Sequence, residues 1–365
     1  MALLRYLTAR EIVTMVFRIG RNSLMEAHMP VAKIAPGDVG TLSRLQSYVT
    51  LVRNFVYDFR RYRASSFING PRERQNLEAH IRLLSHMLEY GLSLSDPRAG
   101  FGMDKVRVLA AEISRYIKSY GPDAATDNGL GVLTAYVACN AASGADVGEV
   151  QKLLDDLLAL NAASSPCAAG REAVSASTIR AAAACDFMGF MGARHSVRQY
   201  DRSRPVEPEK VERAVMAAMQ SPSSCNRQTT KVLAFTDMDS IRRVLSHHQG
   251  NRGFGDQLGG VFVVTVDLRN WDTIGERNQG WVDGGMFAMT LALGLHAEGL
   301  GACMLNWSAT MQEDRAMRSL LGLGESHVII TLIGFGHMVD SFSVPVSRRR
   351  PIEQVLRCEP PLSKT

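Results

Sequence analysis

Ser221-Pro222-Ser223-Ser224-Cys225-Asn226-Arg227-Gln228 is the stretch from which the rest of the chain is read. A helical run rich in alanine and methionine, from about Glu207 to Met219, leads into it, and an apolar strand-like run, Val232 to Phe235, leaves it. Serines, an Asn and a Gln around one Pro make a loop dense in donors and acceptors and stiffened at a single point. On a rigid scaffold such a loop can hold a polar ring or a phosphate. By itself it reads equally well as an ordinary helix-to-strand connection, so its meaning depends on what precedes it.

What precedes it is Arg194-His195-Ser196-Val197-Arg198, followed by Pro205. Arginine offers a fixed fork for phosphate, and serine a short donor. A basic pentapeptide alone is usually solvated surface. Followed one helix later by the serine-rich loop, it becomes half of a two-part anion-binding set.

This order, Arg-x-Ser-x-Arg, Pro, helix, then Ser-Pro-Ser-Ser-x-Asn-x-Gln, resembles the nitroreductase family of FMN-dependent oxidoreductases over about residues 190–357. Later landmarks agree. Gly260 to Val266 is an apolar strand, and Asp283-Gly284-Gly285-Met286 opens a long apolar helix to His296. Gly299-Leu300-Gly301 turns into a strand through Ala302-Cys303-Met304-Leu305. Val328 to Gly336 is another strand, and Arg348-Arg349-Arg350-Pro351 precedes a last short helix.

The resemblance implies an α+β protein whose C-terminal nitroreductase-like domain has a central, mostly antiparallel sheet flanked by helices. It further implies a homodimer with FMN at the subunit interface, NAD(P)H as electron donor and a small-molecule acceptor. Residue by residue, Arg194, His195, Ser196 and Arg198 would meet the flavin phosphate and pyrimidine edge. Pro222, Ser223, Ser224 and Asn226 would reach the flavin from the other subunit. Met304, Leu305 and Asn306 would lie against the ring, with a backbone N–H near its reactive nitrogen. Arg349 best matches the late basic residue that closes on the phosphate. The chain departs from the family at Thr229-Thr230, where Pro-Trp is frequent, and at Ser347 and Arg348, where a lysine is common. Larger nitroreductase-like proteins, which the two-part chain also resembles, occur among polysaccharide-biosynthesis functions.

The chain has 365 residues, 46% hydrophobic and 21% charged, enough for two domains. A net charge of +5, with no concentrated basic stripe, gives no sign of nucleic-acid binding. Six cysteines without CxxC spacing suit reduced thiols, and Cys225 reads as a packing residue. Charges at Arg10, Glu11 and Arg18 exclude a secretory signal, so a cytoplasmic protein is expected.

Residues 1–185 read as all-helical and residues 186–365 as the FMN-binding domain, with the shift to Ala, Ser and Gly over 161–182 as the boundary. Thr8-Ala9-Arg10-Glu11 has the form of a capping box before an amphipathic helix. Further helices are expected over 41–63, 72–90, 104–120, 131–142 and 147–160. His86 and Glu89 have the i, i+3 spacing of metal-binding bundles, but the repeat such a site needs is missing, so a hydrogen-bonding histidine is expected. The glycine-rich run Gly253–Gly259 lacks dinucleotide-fingerprint spacing and precedes a strand, and Asn251–Asp256 reads as a loop at the mouth of the flavin pocket. Trp271, Trp281 and Trp307 are candidates for the substrate side. The competing class is a non-catalytic flavin-binding or sensing module whose helical half recruits a partner. A different FMN reaction, such as desaturation or reductive removal of a substituent, fits the same scaffold.

Overall fold

The computed structural model describes residues 41–161 and 167–359. The amphipathic helix expected from Thr8 lies outside them, as do residues 162–166 of the expected boundary.

Strand β2 (Gly260–Asp267) explains the C-terminal architecture. Its Val-Phe-Val-Val-Thr-Val run is strongly β-forming, and every residue in it is buried. A strand buried on both faces needs cover on both. It pairs with β1 (Thr230–Phe235) on one side and β4 (His327–Gly336) on the other, and β3 (Gly301–Asn306) closes the far edge. All three pairings are antiparallel.

One face is covered by α8 (Pro208–Ala218) and α10 (Gln279–Ala297), whose Ala214, Ala218, Phe287 and Leu291 pack on Phe262 and Phe335. The two phenylalanines stack at 4.5 Å. Helices α8 and α10 touch where Gly294 leaves room, since a Cβ there would lie 2.8 Å from the Ala214 carbonyl oxygen. The other face is covered by α9 (Met238–Leu245) and α11 (Met311–Leu320), through Ile241, Val244 and Met317.

Among its described residues the expected helical half is helical. Helices α2 (Arg74–Leu92), α3 (Met103–Tyr120), α4 (Ala124–Ala142) and α5 (Gly148–Leu160) share a core containing Leu88, Leu109, Ile113, Leu130, Leu133 and Leu157. Helix α4 starts ahead of the expected Gly131 because Asp123 caps it. The Asp123 carboxylate accepts from the Ala125 amide at 2.9 Å, and Thr126 accepts from the Asp123 amide. Short helices α6 (Ala176–Ala182) and α7 (Phe187–Ala193) carry the chain into the second half without burying a side chain.

Helix α1 (Thr41–Ser65) joins the sheet domain instead of that bundle core. Tyr57 donates to Asp314 at 2.6 Å, and Arg61 and Arg318 donate to the same carboxylate oxygen at 3.3 and 3.0 Å. Arg61 also donates to the carbonyls of Glu325 and His327. All four side chains in this cluster are buried. Exchange of Asp314 for Ala would strand the buried Arg61 guanidinium and leave Arg318 with only the exposed Glu325, 3.5 Å away, a loss of about 3–5 kcal/mol. A large fall in the midpoint of chemical denaturation, relative to wild type, is the expected result.

Candidate active site

The Arg194–Tyr200 segment runs beside β3. Ser196 bridges Ala302 in the parallel sense, and the Val197 amide donates to the Ala302 carbonyl at 3.0 Å. Val197 turns into the core, so its neighbours Ser196 and Arg198 turn outward. Gly301 permits this approach, because a Cβ there would lie 3.0 Å from Val197 Cβ and 2.7 Å from Met338 Cγ. The Arg198 guanidinium lies 6.0 Å over the Phe254 ring and donates to the Ser196 carbonyl at 3.2 Å. Burial pushes the Cys303 thiol up, against the opposing pull of Arg198 and Arg194. Both arginines therefore project positive potential onto β3.

Along β3, Met304 and Asn306 are exposed while Cys303 and Leu305 are buried. Leu305 packs in the core, which leaves only its backbone for a ligand. The Asn306 carbonyl accepts from His248 Nε2 at 2.9 Å, and the Gly250 amide donates to His248 Nδ1 at 3.0 Å. That pair of bonds places the imidazole proton on Nε2 and ties the loop before β2 to the end of β3. Asn251, Phe254 and Gln257 of that loop border a cleft of about 370 Å³. The sequence marks this loop only by its glycines; Arg198 over Phe254, and the Tyr200 amide donating to Gln257 at 3.4 Å, bring it to the basic segment.

The Ser221–Gln228 loop lies elsewhere. Asp283 of α10 accepts from the Ser224 amide at 3.0 Å, and Ser221 bonds Thr290 at 2.8 Å. Cys225, Asn226 and Gln228 all have φ 51°, left-handed backbone that is unfavourable for residues bearing a Cβ. Ser221, Pro222 and Ser223 border a cleft of about 270 Å³ with Met219 and Phe287. Helix α2 packs against the Ser224–Asn226 turn from the other side.

Sheet register fixes the separation of the two motifs. The loop enters β1 at Thr230, in the row Thr230–Val266–Val328, whereas Ser196 meets Ala302, in the row Ala302–Phe335–Gly260. They occupy opposite edges and opposite ends of the sheet. At about 4.8 Å per strand and 3.3 Å per residue, roughly 20 Å separates them in each direction. Within one chain the structure does not bring the two motifs together. Arg349 is exposed and donates to its neighbour Ser347 at 3.1 Å; among the described residues no hydrogen bond or ion pair joins it to Arg194–Arg198.

Residues 191–250 and 246–337 match the Nitroreductase family. The C-terminal half carries a nitroreductase-family domain. Solved structures similar to this nitroreductase domain include an FMN-dependent nitroreductase from Clostridium difficile, at 23% identity and TM-score 0.38, covering 44% of this chain and 92% of that one. NfrA2 from B. megaterium is similar at 19% identity and TM-score 0.42, covering 48% of this chain and 75% of its own. No curated protein matches the sequence. The helical half is extra to the nitroreductase domain.

One tryptophan expectation is corrected. Trp271 does not face a substrate pocket: it is fully buried among Val266, Leu268 and Val328, with the Arg227 guanidinium 5.3 Å over its ring. Trp281 is exposed on α10, and Trp307 stacks beside His248 at 6.5 Å. His86 pairs with Glu89 at 3.5 Å. Among the described residues no cluster of His, Cys, Asp or Glu could hold a metal ion, and no helix is long and apolar enough to cross a membrane.

Where the loop enters the nitroreductase sheet, Thr229 Oγ1 donates to the Asp267 carbonyl and accepts from its amide, both at 3.1 Å. The Asp267 carboxylate holds Arg269 and lies 3.7 Å from His327. Burial lowers the His327 pKa; Asp267 opposes this, while Arg269, Lys231 and Arg318 add to it. A depressed folded pKa means that the unfolded chain takes up the proton first. The contribution of His327 is therefore complete above about pH 6.5 and lost as pH falls below it. Thermal midpoints should drop from pH 7.5 to 5.5, and His327→Gln should flatten that drop. A separate check falls on the β3 edge. Gly301→Val should cost about 1–3 kcal/mol and speed hydrogen exchange at the Val197 amide.

Proposed function

We propose that the chain is an FMN-dependent oxidoreductase that acts as a homodimer, passing hydride from NAD(P)H to a small-molecule acceptor. Residues 186–365 form the flavin domain and residues 1–185 the added helical part. Arg194, His195, Ser196 and Arg198 of one subunit hold each flavin together with Pro222, Ser223, Ser224 and Asn226 from the loop of a second copy.

The diagonal placement of the two motifs carries this reading. Two halves of one anion-and-ring site at opposite corners of a sheet can converge only when two sheets meet. The surface beside the loop suits that meeting. Trp281, Val282 and Met289 are exposed on α10, with Gly285 in open space between them. Met216 and Met219 extend the apolar patch. An unpartnered apolar face of this kind fits a self-complementary contact with a second copy.

The residues fit the cofactor by their donor chemistry. Guanidinium forks and a serine hydroxyl suit a phosphate and the carbonyl edge of the ring. The exposed face of Met304 suits a flat apolar surface. Bound FMN supplies the hydride chemistry; the chain supplies placement and charge. Arg194 and Arg198 favour negative charge at the edge they face. Asn306, pinned through its carbonyl by His248, fixes the end of β3, from which a backbone N–H reaches the ring. Arg349, on an exposed terminal stretch, closes on the phosphate. No side chain is required as a nucleophile.

Visible absorption of the purified protein, followed by anaerobic NADH and then NADPH, tests the reading. Flavin bands that bleach are expected. Protein that neither carries nor takes up flavin would overturn it, and bands that persist with both donors would leave a flavin-binding module without reductase activity. In the same assay, Met289→Asp should yield monomers that lose their flavin.

A further inference from the structure

Arg227 stands in the middle of the exposed loop, yet only 2% of its surface is accessible. Its neighbours Asn226 and Gln228, and Cys225 before them, are three of the four non-glycine residues with positive φ among the described residues, the fourth being Ser347. Such backbone persists only where its surroundings hold it. The loop's other bonds are short-range or lie at its start: Gln228 to Ser223 and Asn226, and Ser224 to Asp283. Arg227 alone sends a charged group from the strained residues into the interior.

Its receptor is held by further hydrogen bonds. Arg227 pairs with Asp272 at 2.7 Å and with Glu276, beneath which the Trp271 ring lies 5.3 Å from the guanidinium carbon. Glu276 is held in turn by the amides of Asp272 and Thr273, each at 3.2 Å. The end of α1 closes the back of the receptor: the Phe67 amide donates to the Trp271 carbonyl at 2.9 Å, and Tyr62 donates to Thr273 at 2.6 Å. With α2 packed on the Ser224–Asn226 turn, the loop is clamped from two sides.

We propose that Arg227 is the positioning residue of the cofactor loop. Its ion pairs with Asp272 and Glu276 hold Cys225, Asn226 and Gln228 in left-handed backbone around a right-handed Arg227, and this sets Ser223, Ser224 and Asn226 where the flavin of the opposite subunit meets them. The inference rests on the FMN reading above. It differs from simple neutralisation of two half-buried carboxylates, because neutralisation can be restored by removing those charges and loop geometry cannot.

The test compares wild type with Arg227→Met, Arg227→Lys and the triple variant Arg227→Met, Asp272→Asn, Glu276→Gln. FMN dissociation constants come from fluorescence quenching, thermal midpoints from circular dichroism, and loop order from hydrogen exchange at Ser224–Gln228. Arg227→Met should melt earlier and bind FMN about 10–100-fold more weakly. The triple variant, free of unpaired carboxylates, should regain its thermal midpoint while keeping weak binding and fast exchange. Arg227→Lys, which can reach one carboxylate, should recover part of the affinity. A triple variant with wild-type affinity, or an Arg227→Met protein with unchanged affinity, overturns the proposal alone. Wild-type protein that takes up no FMN overturns the flavin reading and the proposal with it.

Discussion

Burial of β2 along its whole length is the constraint on which the C-terminal architecture depends. A strand with no solvent-facing residue must be centrally placed and covered on both sides. Helices α8 and α10 occupy one face and α9 and α11 the other. With both faces occupied, only the edges and ends of the sheet are open to ligands. The basic segment takes one edge beside β3, and the serine-rich loop takes the opposite end of the other edge, before β1. The division of the site is thus a by-product of the way the core is covered.

Elements whose signal is local were legible in the sequence. The unbroken β-forming run of β2, the apolar length of α10, and the two motifs around Ser196 and Ser223 each announce themselves within about ten residues. Helix α4 shows how a boundary escapes: Asp123 and Thr126 are an ordinary pair until their reciprocal bonds are seen. Long-range destinations were not legible at all. Nothing in the α1 sequence says that Tyr57 and Arg61 meet Asp314, since a buried ion pair looks like two solvated charges until its partner is placed. The same holds at the site. Alternation along β3 sends Leu305 inward, and Trp271 disappears beneath a buried Arg227.

Two ionic clusters, one buried and one half-buried, join the helical half to the sheet domain. One is Tyr57–Arg61–Asp314–Arg318, and the other is Arg227 with Asp272 and Glu276, backed by Tyr62 and Phe67. Desolvation takes back much of the attraction in such clusters, so large gains in stability are not their main effect. Their geometric demand is high, because a shift of one turn along α1 would strand Arg61 and take Tyr57 away from Asp314 and Arg318. The helical half is therefore docked in one register, with α2 against the loop whose backbone is most strained.

The latch between α1 and α11 also bears on how the chain comes into being. Tyr57 and the carboxylate it bonds are 257 residues apart. At synthesis rates of about 5–20 residues per second, α1 leaves the ribosome roughly 10–50 seconds before Asp314 exists. Through that interval Tyr57 and Arg61 of α1 wait without their dock, beside a bundle core that can close on its own. The latch can close only after α11 has been made, so α1 spends most of synthesis without its partner carboxylate.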